Sequence, residues 1–124
     1  MKSDVWFDEK EGVVRMKIAG KISNEEYRKV NRKMIDTISA EKRTRQIVDL
    51  TEAEAMNIDR KTRKEIAEEM HSSEVEGTKL AIIGASPMTR MLTKVILAMR
   101  KQKSETRFYK NEEEALTWLK GKKI

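Results

Sequence analysis

Residues 79–87 read Lys-Leu-Ala-Ile-Ile-Gly-Ala-Ser-Pro. The run from Leu80 to Ile83 is apolar without alternation. Such a run fits a strand covered on both faces, the condition of a central strand in a parallel sheet. Ser86 then supplies a capping oxygen, and Pro87 suits the first position of a helix. Met88, Met91, Leu92, Val95, Ile96 and Met99 follow at helical spacing, which predicts a helix from Pro87 to about Lys103 with that stripe turned inward.

The same strand-then-helix pattern repeats on both sides. Downstream, Thr106-Arg107-Phe108-Tyr109 reads as a strand. Asn111-Glu112-Glu113-Glu114 is a capping box, in which an N-cap side chain and a glutamate three residues on bond each other's backbone. Ala115, Leu116, Trp118 and Leu119 give the helix after it an apolar side, and Gly121 ends it. Upstream, Arg45 to Leu50 is a short buried strand, Thr51 to Asn57 a loop, and Asp59 to about His71 a polar helix. Its narrow stripe is Ile58, Thr62, Ile66, Ala67 and Met70. Ser23 with Glu26 is another capping box, and Tyr27, Val30, Met34, Ile35 and Ile38 make 24–39 an amphipathic helix. At the start, Asp4-Val5-Trp6-Phe7-Asp8 and Val13 to Ala19 alternate as two strands about Glu9-Lys10-Glu11-Gly12, a hairpin turn in which Gly12 is free to take positive φ. The predicted order is ββαβαβαβα: one α/β domain over 1–124, with a five-stranded, mostly parallel sheet, an antiparallel hairpin at its start and about four helices.

Composition narrows the chemistry. The chain has 124 residues, 39% of them charged, with no cysteine and one histidine. A disulfide scaffold and a thiolate metal site are excluded, and most histidine-based sites cannot be filled. No apolar run reaches the roughly 20 residues that span a bilayer. The first residues lack a signal-type apolar stretch, so a cytoplasmic protein is expected. The net charge of +6 is concentrated: 1–85 and 111–124 are each neutral, whereas 86–110 holds seven basic residues and one acidic. That stretch can attract phosphate, an anionic lipid or an acidic protein surface. RNA-binding aromatics of a recognisable pattern are missing from it, which argues against nucleic acid.

Taken together, the hairpin opening, Ile47-Val48-Asp49-Leu50-Thr51, Leu80-Ala81-Ile82-Ile83-Gly84 and the ending Glu105 to Leu119 resemble the SpoIIAA-like proteins of the wider STAS grouping (sulfate transporters and anti-sigma-factor antagonists). The resemblance spans nearly the whole chain. It implies a (β/α) superhelix with strands in sequential order and helices mainly on one face. It also implies a small regulatory or ligand-binding domain, of a kind often without an assigned activity. The antagonist branch carries a phosphorylatable serine at the start of the helix after the third strand. The matching stretch here, Met56-Asn57-Ile58-Asp59-Arg60, has no hydroxyl. Asp59 reads as an N-cap there, with a fixed negative charge in place of a switch as the sharper reading.

Ligands of parallel α/β sheets sit beyond the carboxyl ends of the strands. That rim gathers Gly20-Lys21, Asp49-Leu50-Thr51 and Gly84 to Arg90. Ser86, Thr89 and Arg90 at a helix N-terminus could receive a small anionic or lipid-like ligand; the plainer reading is a well-capped helix. Asp49 with Thr51 could position a water or hydroxyl; the plainer reading is a side-chain turn at a strand end. Pairing of Asp49 with the Ser86–Arg90 segment across neighbouring strands is a further expectation. Met91, Lys94 and Arg100 on the helix face, together with Trp6, form the expected contact surface for a protein partner or a second copy. His71 reads as a surface or capping residue. No cofactor, metal or catalytic residue is expected, and the function read from the residues is a regulatory, protein-interaction module. A binding domain for an anionic or amphiphilic ligand is the alternative.

Overall fold

In the computed structural model of the chain, residues 3–41, 45–54, 58–69, 79–87, 89–91, 94 and 105–121 are described. They form β1 (Asp4–Asp8), β2 (Val13–Gly20), α1 (Asn24–Glu41), β3 (Arg45–Ala53), α2 (Arg60–Glu69), β4 (Lys79–Ile83) and β5 (Glu105–Tyr109). Helical backbone at 87, 89–91 and 94 follows β4 and is called α3 here. The helix Glu112–Leu119 is α4. The five strands lie in chain order in one sheet, β1-β2-β3-β4-β5. β1 and β2 are antiparallel, and every other pair is parallel.

Gly12 closes the hairpin at φ 69°, its N–H donating to Asp8 O at 2.8 Å. β4 is buried on both faces, as its unbroken apolar run requires. Leu80 and Ile82 join Val14, Met16, Ile18, Val30, Met34 and Ile38 beneath α1. Ala81 and Ile83 join Val13, Ile47, Ala115, Trp118 and Leu119 beneath α4. The helices therefore do not share one face: α1 and α3 lie on one side and α4 on the other. The apolar side of α4 finds its partners in Val13, Ile47, Ala81 and Ile83, each one residue out of phase with the positions beneath α1.

Two expectations are corrected. β3 does not stop at Leu50 but runs on through Thr51, Glu52 and Ala53. The register passes from Lys17↔Asp49 to Ala19↔Glu52, so β3 carries one extra residue and bulges at Leu50–Thr51. Thr51 and Glu52 are both polar and exposed, and without alternation the strand is hidden from a pattern reading. The second concerns Met91, placed on the inward stripe of the α3 segment. It is 69% exposed and so lies off the inward stripe, while Thr89 is buried. Met70, His71 and the rest of the helix expected to reach Lys103 lie outside the described residues.

Candidate functional site

The carboxyl ends of β2, β3, β4 and β5 converge as expected. At the bulge, Asp49 Oδ1 accepts from Thr51 N at 2.9 Å and from Thr51 Oγ1 at 2.6 Å. The carboxylate thus satisfies the backbone donor that the extra residue would leave unpaired. Across the rim, Gly84 sits at φ 71°, and a Cβ there would lie 2.4 Å from Thr51 Cγ2 and 2.9 Å from Thr51 Cα. Only glycine admits both that backbone angle and that approach.

Three residues beyond Gly84 α3 begins. Ser86 Oγ accepts from Thr89 N at 3.2 Å and donates to Thr89 Oγ1 at 2.9 Å. The expected cap is formed. Arg90 and Lys94 then lie over the Phe108 ring, at 5.3 and 5.9 Å from its centroid. A cation held on an aromatic face is weakly desolvated and restrained in place. Met91 stands exposed beside them.

The register separates what the sequence grouped. Phe108 pairs with Ile82 and Ile82 with Val48, on the α1 face. Asp49 pairs with Ile83 and Ile83 with Tyr109, on the α4 face. Asp49 and Arg90 therefore occupy opposite sides of the sheet at the same end. The structure brings together Ser86, Thr89, Arg90, Met91 and Lys94. Of the described residues expected at the site, Asp49 is bonded to Thr51. Trp6 lies elsewhere, on β1, 42% exposed. Arg100 lies outside the described residues.

Sequence reasoning missed the corner where the helices α1 and α2 begin. Asn24 Nδ2 donates to Asp59 Oδ2 at 2.9 Å, and Asp59 N donates back to Asn24 Oδ1 at 3.1 Å. Asp59 Oδ1 also accepts from Thr62 N at 2.7 Å, the N-cap bond of α2. The backbone and side chain of Thr62 hold the Asp59 carboxyl below the usual carboxylate range, helped by the positive charges of Arg28 and Lys61. Arg28 clamps the same pair of helices, donating to Glu65 at 2.6 Å and to Thr62 Oγ1 at 2.9 Å. The signal available was that Asn24 and Asp59 are both cap-type residues. Among the described residues no three His, Cys, Asp or Glu side chains gather as a metal site would require, and no helix is long and apolar enough to cross a membrane.

The family model described as SpoIIAA-like matches residues 13–120. Two solved structures are similar over nearly the full length. The anti-sigma factor antagonist SpoIIAA in its unphosphorylated form has a TM-score of 0.69 at 14% identity, with 98% of this chain and 99% of that one covered. A protein of Shewanella loihica PV-4 with a SpoIIAA-like fold has a TM-score of 0.63 at 18% identity, with 94% and 91% covered. No curated protein sequence matches the chain.

Proposed function

The chain belongs to the SpoIIAA-like family, and from that premise we propose that it is a non-catalytic regulatory module of the cytoplasm that works by docking a protein partner through the α3 rim. The observation that supports this reading is the grouping of exposed Met91 with Arg90 and Lys94, both cations stacked on Phe108. An exposed thioether beside two restrained cations suits an acidic surface with an apolar centre, because such a patch needs little ordering on binding. The net charge of +6 over 86–110 adds long-range attraction of the same sign. Ser86 and Thr89 bond each other, so the alternative of a small anion at the helix N-terminus would rest on Arg90.

Affinity capture with the intact chain, compared with Arg90→Glu and Met91→Asp, tests the reading. The expected result is a partner retained by the native chain and lost with both variants, its recovery falling as salt rises. Equal recovery with the variants, or a phosphate-induced rise in melting temperature that vanishes in Arg90→Ala, would replace it with the ligand reading.

A further inference from the structure

β5 is an edge strand of the sheet, and its backbone groups divide between two sides. Tyr109 O accepts from Gly84 N at 3.1 Å. In a parallel pair the N–H and C=O of one residue turn the same way, so Tyr109 and, by alternation, Arg107 and Glu105 turn theirs to β4. Those of Thr106 and Phe108 turn outward, and no described residue bonds them. An open edge of this kind is a template for another strand.

Both faces of this edge carry cations held on rings. On the α4 side, Arg107 lies 5.0 Å from the centroid of Trp118, with Lys79 at 5.7 Å over the same ring. On the α3 side, Arg90 and Lys94 lie over Phe108. Among the described residues no carboxylate pairs with Lys79, Arg90 or Lys94. Arg107 meets Glu105 at 3.5 Å, but both groups are half-exposed, the weak class of ion pair that an incoming acid displaces. The other edge strand differs. Lys33 and Arg15 beside β1 already hold its acids Asp4 and Asp8, and Asp4 Oδ1 covers Val5 N.

We propose that the partner docks at β5 through an extended acidic segment, added to the sheet as a sixth strand. A strand laid about 4.8 Å outside β5 bonds the outward groups of Thr106 and Phe108. Its side chains alternate between the two faces. A residue level with Arg107 falls on the α4 side, and its neighbour, level with Phe108, falls on the α3 side beside Arg90 and Lys94. Two adjacent acids therefore meet both sets of cations in charge-assisted contacts. This inference rests on the reading of the α3 rim as a protein-docking surface and gives the form of the partner there.

Fluorescence anisotropy with synthetic peptides tests it. The probe is a short labelled peptide of valine and threonine with two adjacent glutamates at its centre. In either strand direction the backbone N–H of the first glutamate faces β5 and that of the second faces away. The native chain is expected to bind the probe. N-methylation at the first glutamate, exchange of both glutamates for lysine, and the variants Arg90→Glu, Arg107→Glu and Thr106→Pro should each weaken binding by at least about tenfold. N-methylation at the second glutamate should leave it unchanged. The Thr106 N–H lies outside the ladder with β4, so proline there removes an edge donor alone. If its melting temperature shows that Thr106→Pro misfolds, the two methylated peptides carry the test on the native chain. Equal binding of those two peptides overturns strand addition. The rim reading then stands if Arg90→Glu still weakens binding and falls with it if not. A native chain that binds no probe also overturns strand addition, and capture with Arg90→Glu and Met91→Asp then decides the rim separately.

Discussion

Gly84 and Thr51 stand 33 positions apart in the chain and in contact at the rim. Replacement of Gly84 by alanine forces a Cβ into Thr51 at a positive φ, with backbone on one side of the clash. We expect Gly84→Ala to cost about 1–3 kcal/mol, read from urea unfolding. Gly12→Ala is the control, since nothing lies within 4 Å of a Cβ there and only the angle is strained. Its cost is expected near 1 kcal/mol. Thr51→Ser removes Cγ2 but not Cα, so it should relieve the Gly84→Ala defect in part. A Gly84→Ala variant as stable as Gly12→Ala would show that the rim has room to shift. The Asp49–Thr51 turn was readable from two neighbouring residues because the bond is local. The bulge it caps was not, because its cause is the register of β2 against β3.

Helix starts were the most legible elements. Ser23 N–H donates to Glu26 Oε1 at 3.4 Å and Ser23 Oγ accepts from Glu26 N at 3.1 Å, the reciprocal box read from the sequence. Asn111 caps α4 with its side chain, Oδ1 accepting from Glu114 N at 2.9 Å. Ser23→Ala should destabilise the fold by about 1 kcal/mol, visible as a lower urea midpoint without a change in slope. The joined starts of α1 and α2 add a dependence on pH. Asp59 is held below its ordinary value by Thr62, and Asp4 below its own by a hydrogen bond from Lys33 on α1. A carboxyl depressed in the folded state favours folding above its unfolded value and loses that contribution as pH falls through the folded one. Stability should therefore drop on going below pH 4, and Asp59→Asn should flatten that limb in urea melts at stepped pH. An unaltered limb would assign the acid sensitivity to other carboxyls. Strand ends were harder to place, since β3 continues past Leu50 through residues that alternate no further.

At the level of the molecule, the order of elements and the central place of β4 were legible, because four apolar residues in a row need cover on both sides. The side taken by α4 was not. That depends on Val13, Ile47, Ala81 and Ile83 sharing a face, which no single stretch displays. Ile82, 2% exposed beneath α1, and Ile83, 3% exposed beneath α4, test the two halves of the core. Ile82→Ala and Ile83→Ala should each cost about 2–5 kcal/mol in urea unfolding, and should add, since they face opposite ways. Strong non-additivity would mean that the two faces unfold as one packed unit through the strand between them.

The sheet order β1-β2-β3-β4-β5 also bears on synthesis. As the nascent polypeptide emerges from the ribosome, every new strand finds its neighbour already laid down, so no earlier pairing must be undone. The exception is the side closed by α4, which stays bare until Glu112–Leu119 has left the exit tunnel. A chain truncated after residue 104 and released from the ribosome leaves Ala81 and Ile83 without α4, and such a chain should be taken up by chaperones where the chain that includes α4 is not.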